Sequence, residues 1–279
     1  RLASAERGEQ GGTARIVLYS DSINGWDGVS SEMRHVLQAR FGDSGKGWIH
    51  IAPGWQYQHH RDVRWSNSGD WRTHVLNRGH GPGNRYGLGG VMAADGSRRS
   101  SAVFETVENH PAGTSVSLFQ LFYQAYPSSG SVRISVDGGE PVEVDTSSEQ
   151  MEDRVHEMRV PDGPHRFEVS VGERDIRLYG VVMERERPGV VVDAVALIGA
   201  RVARLLRFDA DHWRRQVEFR SPDLMIFWIG GNNATSQGWN RANFVRDYGR
   251  AIATARRGRP QASCLVASIP DIGERGDGE

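Results

Sequence analysis

The stretch Ala14–Gly28, ARIVLYSDSINGWDG, decides the fold because an apolar run passes directly into a polar turn. Its first six residues are short, apolar and bounded by turn formers, which is typical of a buried parallel strand. The following stretch, VSSEMRHVLQARF, repeats apolar residues at helical spacing, and Gly42 after it is typical of a helix end. A strand, a tight turn and a helix make the first unit of an α/β sheet.

The same pattern returns near the end of the chain. Apolar runs at 189–199, 223–231 and 263–271 predict three more strands. Between them, ARVARLLRF, continuing into DADHWRRQVEF, predicts one helix and NFVRDYGRAIATARR predicts another. From 102 to 184 the sequence instead predicts only short strands, with Asp137-Gly138-Gly139 as a hairpin turn.

These patterns predict an α/β fold in which a three-layer parallel sheet is interrupted by an all-β insert of the sandwich or jelly-roll kind. The α/β domain is expected at 14–65 plus 189–279, and the insert at 66–188. Residues 1–13 are small, polar and Gly-rich, and we expect a linker or disordered start, left after an upstream segment was removed.

Composition narrows the function classes. The 279 residues include 34 basic and 35 acidic side chains, a net charge of −1, and no block of like charge. This balance argues against a general binder of nucleic acid or of an anionic membrane. No apolar run approaches the roughly 20 residues that span a bilayer. The single cysteine, Cys264, lies in the apolar run SCLVASI and is expected to be a small buried hydrophobe.

Two Asp-Ser pairs compete for the role of a catalytic serine. Ser22 follows a strand, and ligands collect at the carboxyl edge of parallel strands, so Ser22 is the favoured nucleophile. Ser44 follows the first helix in a Gly-rich turn, and we expect it to belong to a capping turn. The alternative for Asp21 and Ser22 is that one of them merely caps the next helix.

Two further strand ends carry groups that suit acyl transfer. Gly199 ends the run ALIG and offers an unhindered backbone N–H. Asn232 follows the strand in IFWIGGNN and offers a side-chain amide. A serine, a glycine and an asparagine at one edge of a parallel sheet are what an oxyanion hole requires.

In this order of blocks the sequence resembles the SGNH, or GDSL-like, hydrolase superfamily. More narrowly, it is similar to bacterial peptidoglycan O-acetylesterases that carry a β-rich insert between the serine and glycine blocks. The stretches LQARFGDSGKGW and RLYGVVMERERPGVVVDAVALIGARVARLLRF also carry the resemblance, which extends from 14 to 271. The separation of the two blocks, 199 − 22 = 177 residues, is too long for the plain superfamily fold and fits an insert.

The resemblance implies that Ser22 is the nucleophile and that its own N–H, the Gly199 N–H and the Asn232 amide are the oxyanion donors. Two positions depart from the family. Ser20 stands where the family has the glycine of Gly-Asp-Ser, and Asn233 stands where it has an acidic residue. The second change is expected to remove a local hydrogen-bond acceptor.

The family's general base belongs to an Asp-x-x-His sequence near the C-terminus, and no histidine follows His212. We therefore expect the printed chain to stop before that loop. Earlier pairs with this spacing, none favoured as the base, are Asp153–His156, Asp162–His165 and Asp209–His212. His59 and His60 are another candidate, although QYQHHRDVRW alternates like a solvated strand.

The predicted function is a serine esterase that removes O-acetyl groups from a cell-wall or other polysaccharide. The alternative is a catalytically inactive carbohydrate-binding protein on the same scaffold. We expect no cofactor, no metal and no nucleic-acid partner, and a cell-envelope location, either periplasmic or secreted. Four aromatic residues of the insert, Phe119, Phe122, Tyr123 and Tyr126, are candidate glycan contacts, with packing between sheets as the favoured alternative.

Overall fold

The structure, a computed structural model, describes residues 1–94 and 98–269. The helices are α1 Leu2–Glu6, α2 Gly28–Phe41, α3 Val202–Leu205, α4 Ala210–Arg220, α5 Gly231–Ala234 and α6 Arg241–Arg256. The strands are β1 Thr13–Ser20, β2 Gly45–His50, β3 Arg64–Ser68, β4 Arg72–Val75, β5 Val91–Ala94, β6 Ser101–Glu105, β7 Val116–Ala125, β8 Ser131–Val136, β9 Val142–Asp145, β10 Glu152–Gly163, β11 Arg166–Val171, β12 Arg177–Glu184, β13 Gly189–Ala196, β14 Leu224–Trp228 and β15 Ser263–Val266.

A parallel sheet in the order β13-β1-β14-β15 brings the predicted strand ends to one edge. In its register Ser20 at the end of β1 pairs with Ala196 of β13 and with Trp228 of β14. Every residue of β13 is buried, as expected for a Val-rich strand whose two faces are both covered. The mixed α/β class predicted from the sequence is therefore confirmed.

Two antiparallel sheets fill the chain between β1 and β13. One has the order β10-β7-β12-β5-β4, with β2 also pairing with β12, and the other has the order β3-β6-β11-β8-β9. Their facing sides share one hydrophobic cluster, in which Phe119 stacks on Phe167 with ring centroids 4.8 Å apart. Because β2 lies at 45–50, the antiparallel strands begin before residue 66, and the division into two domains stays a prediction.

A second hydrophobic cluster joins the antiparallel and parallel sheets. It includes Tyr19 of β1, Trp48 of β2 and Trp213 of α4, all fully buried. The Trp213 indole N–H donates to the Tyr19 hydroxyl at 2.9 Å, so the polar atoms of both aromatic residues are satisfied. Burial of each such side chain contributes about 2 kcal/mol or more. Among the described helices, none is both long and apolar enough to cross a membrane.

Three local expectations are corrected. The predicted linker contains α1, whose Ala5 is buried. The single helix expected after Gly199 is divided into α3 and α4, because the Asp209 side chain caps a new helix by accepting the His212 N–H at 2.8 Å. Cys264 is exposed, because β15 is the edge strand of the sheet within the described residues and all four of its residues are exposed.

The aromatic residues that were candidate glycan contacts follow the favoured alternative instead. Phe119, Phe122 and Tyr123 are at most 5% exposed and pack in the cores. Tyr126 is half-buried, its ring lies under the Arg177 guanidinium at 4.0 Å, and its hydroxyl donates to the Asp175 carbonyl. These residues therefore pack the sheets, which was the favoured alternative.

Candidate active site

Ser22 begins the 3₁₀ turn Ser22–Asn24 directly after β1 and is exposed. The buried Asp21 side chain accepts the Ile23 N–H at 3.2 Å, which fixes the sharp turn from strand to helix. Among residues 1–94 and 98–269, no group forms a hydrogen bond with the Ser22 hydroxyl. The cap is therefore made by Asp21, and the serine hydroxyl is left facing solvent at the carboxyl edge of the sheet.

The loops after β1 and β13 are in direct contact. The Leu197 N–H donates to the Ser20 carbonyl at 2.9 Å, which extends the strand pairing by one residue. Gly25 lies so close to the Ile198 side chain that a Cβ on it would be 2.3 Å from Ile198 Cδ1. The Ser22 turn and the loop that carries Gly199 thus pack against each other.

Hydrogen bonds tie the loop after β14 to the other two. The Gly230 N–H donates to Asp21 Oδ2 at 3.3 Å. The Asn232 amide donates to the Ala200 carbonyl at 3.2 Å, next to Gly199. The structure therefore brings the serine, glycine and asparagine blocks together at one edge. Since an amide NH₂ carries two hydrogens, one of those on Asn232 remains for a ligand.

The two departures from the family pattern have local explanations. The Asn233 side-chain oxygen accepts the Val202 N–H at 3.0 Å and so caps the start of α3. The expected loss of an acceptor is thus wrong, because an amide oxygen accepts as a carboxylate would. Ser20 is fully buried, and its hydroxyl donates to the Val195 carbonyl at 3.2 Å.

Asn77 contributes to this edge from the chain between the two halves of the parallel sheet, and the sequence analysis missed it. Its amide donates to the carbonyl of Ile198, the residue before Gly199. Asn77 lies in a stretch rich in turn formers, where nothing distinguishes it from its polar neighbours. Only the tertiary structure brings it to the glycine loop.

A buried ionic network adjoins the Ser22 turn, because the Asp27 N–H donates to the Asn24 carbonyl at 3.0 Å. The Asp27 carboxylate accepts hydrogen bonds from Lys46 Nζ at 2.6 Å and from the Arg61 N–H at 2.9 Å, and it lies 3.5 Å from the Arg34 guanidinium. Burial alone would raise the pKa of Asp27, but the Lys46 and Arg34 cations lower it well below its usual range. Asp27 is therefore ionised, and it joins α2, β2 and the loop that carries Arg61 next to the turn.

The two adjacent histidines have different surroundings. His60 is buried, and its Nε2 accepts the His50 backbone N–H at 3.2 Å. Burial lowers the pKa of His60 well below its usual value, and it lowers that of His50 to about 4. His59 is exposed, with its ring 5.2 Å from that of Trp26, and makes no hydrogen bond to Ser22 among the described residues.

The three Asp-x-x-His pairs serve other purposes. Asp209 caps α4, and the ring of His212 accepts the Gly87 N–H at 2.9 Å and bonds to Asp153 at 2.8 Å. His165 pairs with Asp137. The other two residues of these pairs lie apart from each other. Asp162 pairs with Arg185, and partial burial lowers the pKa of His156. Asp153 therefore pairs with His212, not with its sequence neighbour.

One group within the described residues has the geometry to hold a metal ion: His35, Asp62 and His110. His35 Nε2 and His110 Nδ1 lie 2.8 and 3.3 Å from the same Asp62 oxygen. The Asp62 carboxylate, however, is also paired with the buried Arg34 guanidinium, which already neutralises it. A divalent cation there would lie beside a fixed positive charge, so we assign none, and the absence of a metal stays a prediction.

Two exposed aromatic residues follow candidate site residues in the sequence. Trp26, four residues after Ser22, is 61% exposed, and Trp239, seven residues after Asn232, is 48% exposed. A groove of about 170 Å³ is lined in part by Asn233 and Trp239. Large exposed aromatic side chains of this kind suit binding of a ligand that has both apolar and polar faces.

Comparison with known proteins shows which fold the chain has. No family model matches the chain, and no curated protein matches it. The chain is similar to a solved peptidoglycan O-acetylesterase, with a TM-score of 0.72 and 22% identity over 95% of this chain and 69% of that one. A family two carbohydrate esterase from Cellvibrio japonicus is 15% identical over 73% of this chain and 78% of that one, with a TM-score of only 0.27. The chain therefore shares the fold of the first protein.

Proposed function

We propose that the protein is a serine esterase of the SGNH type that removes O-acetyl groups from a polysaccharide. The observation that supports this proposal is the contact between the loops that carry Ser22, Gly199 and Asn232, with the Ser22 hydroxyl exposed and unbonded among the described residues. The fold shared with a peptidoglycan O-acetylesterase and the family resemblance of the sequence support it.

In the proposed reaction, Ser22 Oγ attacks the acetyl carbonyl carbon while its proton passes to a general base. The Gly199 N–H, the free hydrogen of the Asn232 amide and the Ser22 N–H stabilise the oxyanion that develops. The bond from the acetyl carbon to the sugar oxygen then breaks, and that oxygen takes the proton from the base and leaves as an alcohol. Water, deprotonated by the same base, attacks the acetyl-serine, and Ser22 Oγ leaves with that proton, which gives acetate and the free serine. The buried Asp27, held by Lys46 and Arg61, keeps the Ser22 turn in place during these steps through its N–H bond to the Asn24 carbonyl.

The substrate class follows from the surroundings of the site. An O-acetylated glycan has ring faces that could stack on Trp26 and Trp239 and hydroxyls that could bond to polar groups of the groove beside Asn233. The resemblance to peptidoglycan O-acetylesterases favours a cell-wall glycan and a cell-envelope location. In this proposal residues 66–188 form a carbohydrate-binding-module-like insert.

The test is acetate release from O-acetylated peptidoglycan by the full-length protein, combined with labelling by a serine-directed phosphonate and peptide mapping. Ser22→Ala should abolish labelling and lower acetate release by about 10³-fold or more. Asn232→Ala should lower kcat by about 10²- to 10³-fold. Ser66→Ala is the control, because Ser66 is exposed on β3, and it should behave as the unmodified protein. Acetate release that survives Ser22→Ala would overturn the assignment.

A second candidate is a glycan-binding protein without catalysis on the same fold. It is favoured by one observation: among residues 1–94 and 98–269, no histidine forms a hydrogen bond with Ser22, and the Asp-x-x-His pairs have other partners. Binding of O-acetylated glycan by a full-length protein that neither releases acetate nor reacts at Ser22 would establish this function instead.

A further inference from the structure

The residues around Gly199 form a tight turn. The Ala200 N–H donates to the Leu197 carbonyl at 3.0 Å, which closes a four-residue turn over Leu197–Ala200. Gly199, its third residue, has φ +73°, the value that distinguishes a type II turn from a type I turn. The two types differ mainly by a flip of the central peptide, here the Ile198–Gly199 unit. A glycine adopts either conformation, so the turn is inherently able to switch.

The orientation of this central peptide decides where the Gly199 N–H points. In a trans peptide the C=O and N–H groups point in opposite directions, and no described peptide is cis. The Ile198 carbonyl accepts a hydrogen bond from the Asn77 amide. This bond fixes the carbonyl on the Asn77 side and the Gly199 N–H on the opposite side. It also polarises the peptide, which makes its N–H a better donor.

Asn77 is itself held firmly. Leu76 before it is fully buried in the core shared by the sheets, and its N–H donates to the Gly90 carbonyl at 3.0 Å. Val75 packs in a cluster with Ala196, and the Ile198 side chain packs against that cluster. The backbone positions on both sides of the hydrogen bond are therefore fixed by apolar packing.

The Asn77 side chain is costly for the fold. Its Oδ1 is buried and finds no hydrogen-bond partner among the described residues. A buried amide oxygen without a partner costs roughly 1 to 3 kcal/mol. A side chain kept for stability alone would be apolar at this position, whereas a donor toward Ile198 requires the amide.

We propose that Asn77 is a positioning residue that locks the Ile198–Gly199 peptide in the orientation that presents the Gly199 N–H to the oxyanion. This inference rests on the proposed esterase function. In this proposal, Asn77 does not touch the substrate. It acts through one peptide group, and so the chain between β2 and β13 contributes to the catalytic edge of the parallel sheet.

The test compares Asn77→Leu, which has the same number and branching of heavy atoms but no donor, with the unmodified full-length protein. We expect kcat for acetate release to fall by about 10- to 100-fold, part of the effect of losing an oxyanion donor, while KM changes less than about 2-fold. The midpoint of urea unfolding should stay the same or rise, because the unpartnered oxygen is removed. Asn67→Leu, at an exposed site on β3, is the control and should leave kcat unchanged.

A second readout does not depend on activity. In protein labelled with ¹⁵N-glycine, the Gly199 amide signal, assigned by its loss in Gly199→Ala, should shift or broaden in Asn77→Leu as the peptide samples both orientations. An unchanged signal together with an unchanged kcat would overturn the role of Asn77 and leave the esterase proposal intact. Failure of the unmodified full-length protein to release acetate or to react at Ser22 would overturn both.

Discussion

Acidification from pH 7 to pH 5 is expected to destabilise the protein through two buried histidines. Burial lowers the pKa of His50 from 6.5 to about 4 and that of His60 well below 6.5, so both are neutral in the folded protein. The hydrogen bonding of His60 is consistent with the neutral form, because its Nε2 accepts the His50 backbone N–H and therefore carries no proton. In the unfolded chain both bind a proton as the pH falls through 6.5.

The magnitude follows from these pKa values. Since the unfolded state binds more protons, the free energy of unfolding decreases as the pH falls below 6.5, until the folded protein is itself protonated near pH 4. Each pKa unit corresponds to about 1.4 kcal/mol, so His50 alone contributes a loss of about 2 kcal/mol at pH 5. His60 adds a loss in the same direction. The total is a large share of the roughly 5 to 15 kcal/mol that stabilises a domain.

The buried carboxylates act in a different pH window. Burial alone would raise the pKa of Glu184, but Arg220 and Arg15 lower it to about 2. A carboxylate with a lowered pKa stabilises the fold above its usual pKa of about 4.5, and this contribution is lost as the pH falls from there toward 2. The interval from pH 7 to pH 5 therefore reports the histidines. His74 and His156, whose pKa values partial burial lowers, add to the same trend.

The assay is urea unfolding at pH 7, 6 and 5 at constant ionic strength. His50→Gln should flatten the dependence of the unfolding free energy on pH, whatever its stability at pH 7. His59→Gln is the matched control, because this neighbouring side chain is exposed, and it should keep the full slope. A free energy of unfolding that is constant from pH 7 to pH 5, or a full slope in His50→Gln, would refute the reasoning.

Three further outcomes are expected. Gly113→Ala should prevent stable folding, because its Cβ would lie 1.9 Å from a backbone oxygen, whereas Gly138→Ala, with a similar positive φ and no atom within 4 Å, should cost about 1 to 2 kcal/mol in urea unfolding. Arg220→Met should cost about 3 to 5 kcal/mol, because it leaves the buried Asp193 carboxylate without a cation and leaves Glu184 with Arg15 alone. Arg214→Met on the same helix breaks only surface pairs and should cost under about 1 kcal/mol. The exposed Cys264 should react with a thiol reagent in the native protein, and a reaction only after denaturation would contradict its place on an edge strand.

The sequence predicts the location of the candidate site because the geometry of that site is local. Ser22, Gly199 and Asn232 each follow an apolar run, and parallel strands bring such ends together whatever else the chain does. Asn77 could not be found this way. Its contact with Ile198 spans 121 residues and depends on how the antiparallel sheet packs on the parallel one.

The exposure of Cys264 and the burial of Phe119 and Phe122 have one cause, since periodicity does not distinguish positions within a sheet. The run that contains Cys264 has the apolar character of a central strand, but it forms the edge strand as described. Phe119 and Phe122 alternate sides of one strand and would suit a binding face, yet both sides of that strand are covered by other elements. Burial on both faces is a property of the assembled layers.

The pairing of β1 has a consequence for biosynthesis. Thr13 of β1 pairs with Gly189 of β13, and its other neighbour, β14, follows later still. At roughly 5 to 20 residues per second, a ribosome needs about 10 to 35 s to deliver the first partner of β1. During that interval an apolar strand with two unpaired edges is present on the nascent chain. The antiparallel sheets, whose hairpins close locally, can fold first, and β1 then depends on them or on a chaperone to escape aggregation.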